Sequence, residues 1–282
     1  MKKRGLTAAQ KKKIGSIAST VTLIIVTTLF FLPILWALLM SFKTRVDALA
    51  MPPKWIFKPT LANYSTVWGD GRFLRYVKNS VIIATVSTGL GMVFGVPAAY
   101  VLARQKFKGQ KTLLLGILAT RMIPPVAFVI PFFIIFTRLS LNDTHVAVIV
   151  LHLTFILGYV MWMMRSYFMD IPKEIEEAAL VDGCGVWQTF TRIVLPISTP
   201  GLATSAIFSF IFSWNEFLYA MVLTTIDAKT LPLGVYNWVA YEEIMWGELT
   251  ATSVIAMIPV LIFYGFVQKA LVRGLTMGAV KG

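Results

Sequence analysis

Six apolar stretches leave this chain few folds to choose from. They cover residues 16–42, 80–103, 112–136, 144–164, 202–223 and 252–272. About 20 predominantly apolar residues cross the hydrocarbon core of a bilayer as one helix. Lipid offers no partner to a backbone N–H or C=O, so such runs must be helices unless a barrel closes. These runs are continuous and do not alternate as barrel strands would. The fold class is therefore all-α, a polytopic membrane protein with six transmembrane helices. Composition agrees along the whole length. Of 282 residues, 57% are hydrophobic and only 14% charged, where a soluble domain carries about 25%.

The net charge of +13 would suggest nucleic acid in a soluble protein. Here Lys and Arg cluster at the ends of apolar runs, so membrane orientation and lipid headgroups account for them, and no nucleic-acid partner is expected. The N-terminal tail carries Lys2, Lys3, Arg4, Lys11, Lys12 and Lys13, and the second loop packs Arg104, Lys106, Lys108 and Lys111. Arg138 and Lys229 stand alone in the third and fifth loops. The positive-inside rule then places both termini in the cytoplasm. The first loop disagrees, with Lys43, Arg45, Lys54, Lys58, Arg72, Arg75 and Lys78. Its Pro52-Pro53 and Trp55 suggest a small ordered external cap. The basic start followed by an apolar run reads as an uncleaved first span, since no small-residue cleavage site follows it. The expected layout is a basic tail at 1–15, a first helix at 16–42, an extracytoplasmic loop at 43–79, a five-helix core at 80–272 enclosing a cytoplasmic loop at 165–200, and a tail at 273–282.

The loop at 165–200 is where chemistry is expected. Asp170 before Ile171-Pro172-Lys173-Glu174 reads as an Asp cap, a Pro in the first turn and an early Glu, a strong helix start. Gly183 suits the left-handed position that ends a helix. Pro172 to about Asp182 is then a short polar helix, too charged to span. Ile175, Ala178 and Ala179 fall at i, i+3 and i+4 and predict one face narrow enough for close approach by a partner, with Glu174 and Glu177 beside it. Interfacial helices favour basic polar faces; this one is acidic, which fits docking to a cytoplasmic protein better. A second amphipathic piece, 186–193, ends at Pro196.

Two charges fall inside apolar runs, Arg121 and Glu216. Charges there are expensive and face a cavity or a partner, so an Arg121–Glu216 pair in a polar pathway is one expectation. Pro124, Pro125 and Pro131 break helical bonding in the third run, and broken helices in membranes line cavities or are buried in protein. Trp214, Asn215, Phe212, Phe217 and Tyr219 are candidates for stacking on and hydrogen bonding to a polyhydroxylated substrate. His145 and His152 lack further ligands for a metal, so none is expected. Cys184 reads as a small packing residue. No catalytic constellation stands out, and there is no G-x-x-x-x-G-K-[ST] phosphate loop.

Glu177-Ala178-Ala179, with Gly183 four residues on and then Ile193-x-Leu195-Pro196, resembles the coupling-loop signature of ABC importer permeases. Further matches keep that order: Asn79-Ser80 opening the second span, Ala98 to Arg104 with Phe107-Lys108-Gly109, Ile130-Pro131, Leu139-Ser140-Leu141, Ile171-Pro172 and Trp214-Asn215-Glu216-Phe217. The tail Gly274 to Gly282 resembles that of the second permease of maltose-type carbohydrate importers. The resemblance covers nearly the whole chain. It implies a type I importer fold and a non-catalytic subunit of the bacterial inner membrane. It also implies a heterodimer with a second permease, two ATPase subunits that bind ATP and Mg, and an extracytoplasmic solute-binding protein. By the same resemblance, Glu174, Glu177, Ala178, Ala179, Asp182, Gly183, Leu195 and Pro196 serve ATPase coupling, and Gly278, Lys281 and Gly282 reach the ATPase. Arg121, Pro125, Trp214, Asn215 and Glu216 are the substrate-pathway candidates. An amino-acid or peptide importer permease is the alternative, and an ATP-independent secondary transporter a more distant one. No internal repeat supports the latter.

Overall fold

In the computed structural model, which describes residues 8–239 and 244–278, the chain is helical in long and short pieces. They are α1 (Ala8–Ser41), α2 (Arg45–Ala48), α3 (Ala62–Gly69), α4 (Phe73–Arg104), α5 (Gln110–Met122), α6 (Pro125–Arg138), α7 (His145–Asp170), α8 (Lys173–Val181), α9 (Val186–Thr189), α10 (Leu195–Ile197), α11 (Thr199–Trp214), α12 (Leu218–Leu223), α13 (Leu231–Tyr236) and α14 (Trp246–Gly278). A five-residue π-helical stretch, Phe190–Val194, joins α9 to α10. Among the described residues the sole β pairing is an isolated bridge between Val239 and Ile244.

Four helices are long and apolar enough to cross a membrane unbroken, and six spans result if each of two bent pairs is taken as one. The third expected span, 112–136, is not a rod: α5 and α6 meet at 92°. The cause is Pro124-Pro125. A residue before proline is driven out of the helical region, and Ile123 (ψ 126°) and Pro124 (ψ 136°) both take extended backbone. The second span starts at Phe73, not at Asn79-Ser80, which lie in its second turn. The stretch before α11 also bends, by 77° between 186–197 and 199–214.

The chain divides into two units. The first comprises 8–67 and 238–255. Its α1 is almost bare, with Phe30 and Phe31 exposed, as lipid-facing surface should be. After α1 the chain turns at Phe42 and Lys43 into α2 and α3. Asn63 Nδ2 donates to the carbonyls of Ser41 and Lys43, 2.8 Å each, and the Lys43 ammonium lies buried 4.8 Å from the Trp36 ring and 5.2 Å from Phe57.

The second unit comprises 68–237 and 256–278. Its heart is α4 packed along α7. The two run parallel: His145, which opens α7, touches Asn79, and Arg104, which closes α4, reaches Ile171. Gly91 and Gly95, one turn apart, permit the close approach, since a Cβ on Gly95 would lie 2.8 Å from Val160 Cγ1. Small residues at this spacing let membrane helices approach backbone to backbone. Tyr100, Val160, Met164, Phe168, Phe190 and Val194 complete one buried cluster at the α8 end.

Candidate functional site: an aromatic-walled cavity and an exposed acidic helix

The α5–α6 break and the gap between α11 and α12 open onto one cavity of about 400 Å³. Arg121 and Pro125 come from the α5–α6 break, Asn215 and Glu216 from the gap between α11 and α12, and Tyr159 from α7. Four of the five expected pathway residues thus share one space, walled by Phe128, Phe155, Phe212 and Tyr219.

The expected Arg121–Glu216 pair does not form. Glu216 stands just ahead of α12, and its carboxylate accepts from the backbone N–H of Tyr219 (2.8 Å) and Ala220 (3.3 Å). A carboxylate there meets unpaired donors and the positive end of the helix. His152 Nε2 lies 3.5 Å from the same carboxylate, and its Nδ1 is 2.6 Å from Ser213 Oγ. Arg121 instead holds its guanidinium 5.4 Å from the centre of the Tyr159 ring, a cation–π contact. Trp214 does not line the cavity. It is buried, and its indole N–H donates to Ala256 C=O at 3.0 Å. Phe217 turns to Tyr236 instead. The two histidines on one face of α7 serve different neighbours, His145 binding Asn79 at 2.8 Å.

At the end of the unit where α4 and α7 begin, the segment after α12 is tied down by three side chains. Asp143, with φ 58°, accepts backbone N–H bonds from Thr225, Ile226, Asp227 and Ala228 and a hydroxyl bond from Thr225, at 2.8–3.0 Å. Burial pushes its carboxyl up, but these donors outweigh that and hold it well below the ordinary carboxylate range. Asn79 Nδ2 donates to the carbonyls of Asp227 and Lys229, and Ser80 Oγ accepts from Leu231 N–H. Asn79-Ser80 had no mechanical role at the level of sequence; here it is the clasp for residues 227–231.

The opposite end carries α8. Gly183 has φ 87°, with Cys184 N–H bonding Ala179 C=O and Gly183 N–H bonding Leu180 C=O. This is the Schellman ending that the glycine predicted. The start differs from expectation. Asp170 is the last residue of α7, and Pro172 occupies the cap position of α8 without a side-chain cap. The Ile171-Pro172 corner ends the preceding helix, so Asp170 is spent there.

The predicted face also splits. Ala178 is exposed with Glu174, Glu177 and Asp182, whereas Ala179 is buried, together with Glu176. Leu195 packs against the unit's own core, and Pro196 is exposed. Leu180, Val181, Val186 and Trp187 add an exposed apolar patch. Gly278 ends α14, while Lys281 and Gly282 lie outside the described residues.

Glu176 was missed. Its carboxylate accepts from Tyr100 Oη at 2.7 Å and from Arg104 Nε at 2.6 Å, and Arg104 Nη2 also donates to Ile171 C=O at 2.9 Å. The available signal was helical spacing: Tyr100 and Arg104 are four apart on α4, and Glu176 and Ala179 three apart on α8.

Residues 91–277 match the family described as binding-protein-dependent transport system inner membrane component. The chain is 36% identical to the trehalose/maltose transport system permease protein MalG of Thermococcus litoralis, over 89% of this chain and 91% of that one. It is 33% identical to the inner membrane ABC transporter permease protein YcjP of Escherichia coli, over 92% and 94%. In structure it superposes with TM-score 0.77, at 25% identity, on a chain of a bacterial ABC transporter involved in the import of the acidic polysaccharide alginate, covering 95% of this chain and 99% of that one. The chain belongs to the binding-protein-dependent transport system inner membrane components, as a multi-pass permease of the type I ABC importer fold.

Proposed function

We propose that this permease carries a sugar or oligosaccharide through the cavity between its two helix breaks, driven by ATPase subunits that grip α8. The carrying observation is that one unit joins two unlike surfaces through the same pair of rods. An aromatic-walled cavity that holds Arg121, Asn215 and Glu216 lies beside α7, and an acidic helix with an exposed apolar patch sits where α4 and α7 end. Aromatic faces and hydrogen-bonding groups suit a polyhydroxylated cargo. The relatives named for trehalose/maltose and alginate transport support the sugar class.

By this reading the partners are a second permease, two ATPase subunits that bind ATP and Mg, and an extracytoplasmic solute-binding protein. The α8 end faces the cytoplasm. Glu174, Glu177, Ala178, Asp182 and Gly183 meet the ATPase, and the tail at Gly278, Lys281 and Gly282 lies near it. Purification of the assembly from native membranes, followed by reconstitution, tests this. A second permease, an ATPase and a binding protein are expected to co-purify, and labelled oligosaccharide to enter vesicles only with ATP. Uptake by this chain alone without ATP would overturn the reading.

A further inference from the structure

We infer that Glu176, Arg104 and Tyr100 form the joint through which movement of α8 enters the membrane, with α4 as the helix that takes it up. The inference rests on the reading of α8 as the docking element. The backbone gives α8 two poor handles. It enters through the extended corner Ile171-Pro172 and leaves through Gly183 in the left-handed region. A chain that turns at both ends rotates about those corners when pulled. A firm tie must therefore come from side chains.

Glu176 provides it. One carboxylate oxygen takes the Tyr100 hydroxyl and the other the Arg104 guanidinium, whose second arm reaches Ile171 C=O. The Arg104 and Glu176 side chains are only 9% and 11% exposed. A solvent-exposed ion pair would hold little. A buried one with its hydrogen bonds filled is costly to break on either side. Gln110 and Arg165 both donate to Leu102 C=O, so neighbouring α5 and α7 steady the same turn of α4.

From that joint α4 runs as one helix of 32 residues back to Phe73, accommodating Pro97 within it. Near that end Asn79 and Ser80 clasp residues 227–231, which follow α12. One rod thus links the docking helix to the segment next to the helix that Glu216 caps in the cavity. Glu176 and Arg104 are positioning residues: they touch neither cargo nor nucleotide. This assigns the two neighbouring glutamates different tasks, Glu177 facing the partner and Glu176 binding its own chain.

The test uses the complete assembly in proteoliposomes and reads cargo imported per ATP hydrolysed. Glu176→Gln and Arg104→Gln each lower that ratio at least about fivefold, the scale of a real coupling between sites. Because both break one joint, the double variant is no worse than the poorer single, and Arg104→Lys recovers part of the ratio. Singles with an unchanged ratio, or losses that multiply in the double, overturn the inference. If the glutamine variants fail to assemble, Tyr100→Phe decides, since it keeps the ring and the ion pair. A lowered ratio supports the joint, and an unchanged one overturns it. A wild-type assembly that imports without ATP would instead sink the reading of α8, whatever the variants do.

Discussion

Asp143 shows how much one side chain can hold. Five donors converge on its carboxylate, four of them backbone N–H groups of a single loop. Asp143→Ala removes those acceptors and costs about 1.5–3 kcal/mol, the range for hydrogen bonds to a charged group; thermal unfolding of the purified assembly measures it. The pH dependence has a definite sign. The folded carboxyl titrates below its unfolded value, so its contribution is complete above about pH 4 and declines as pH falls toward the folded value. Asp143→Asn removes that part of the slope. Arg121 makes the other prediction at this scale. Its guanidinium faces the cavity and rests on Tyr159. Arg121→Ala, with assembly intact, therefore lowers uptake about tenfold or more, as expected for one lost charged contact. Arg121, Pro125, Asn215 and Glu216 were legible because charge, amide and proline are conspicuous in an apolar run. Trp214 misled for a physical reason: an indole's direction depends on where its helix stops, and here α11 ends at Trp214 with the ring turned to Ala256.

Among the elements, α8 was the most readable and still held two surprises. Its end at Gly183 follows from backbone chemistry alone, since only glycine enters the left-handed region without cost. Its faces could not be assigned from spacing, because nine residues make only two and a half turns. Ala178 and Ala179 therefore seemed to share a face that the fold divides. Glu177→Lys reverses the exposed charge and leaves the buried tie of Glu176 in place. ATP hydrolysis is then expected to continue while uptake falls, and unchanged uptake would remove Glu177 from the contact. The α5–α6 break is the second prediction at this scale. Pro124→Ala with Pro125→Ala restores the missing N–H groups, and proline costs a helix interior about 3 kcal/mol. The variant straightens the break and closes the cavity, so uptake is lost while the chain still inserts, as membrane fractionation would show.

For the molecule as a whole, the apolar stretches were legible, because lipid demands a fixed length of apolar helix; four of them are single helices and two are bent pairs. The bends were not, since hydropathy carries no information on direction. Orientation rests on the basic residues and can be tested with Cys184, the single cysteine, half-buried beside α8. An impermeant maleimide is expected to label it in inside-out vesicles stripped of ATPase and not in right-side-out ones, and the ATPase should protect it. Labelling from the outer side would reverse the topology.

The placement of the two helix breaks bears on how such a carrier can change. Most of the cavity wall comes from the segments around Pro125 and Asn215, whereas the joint ties Glu176 of α8 to Tyr100 and Arg104 of α4. On the proposed function, cargo and drive thus occupy largely separate stretches of sequence. Residues 120–128 and 211–219 can drift toward a new solute while the gearing stays as it is, and a lineage can alter its diet without rebuilding its motor.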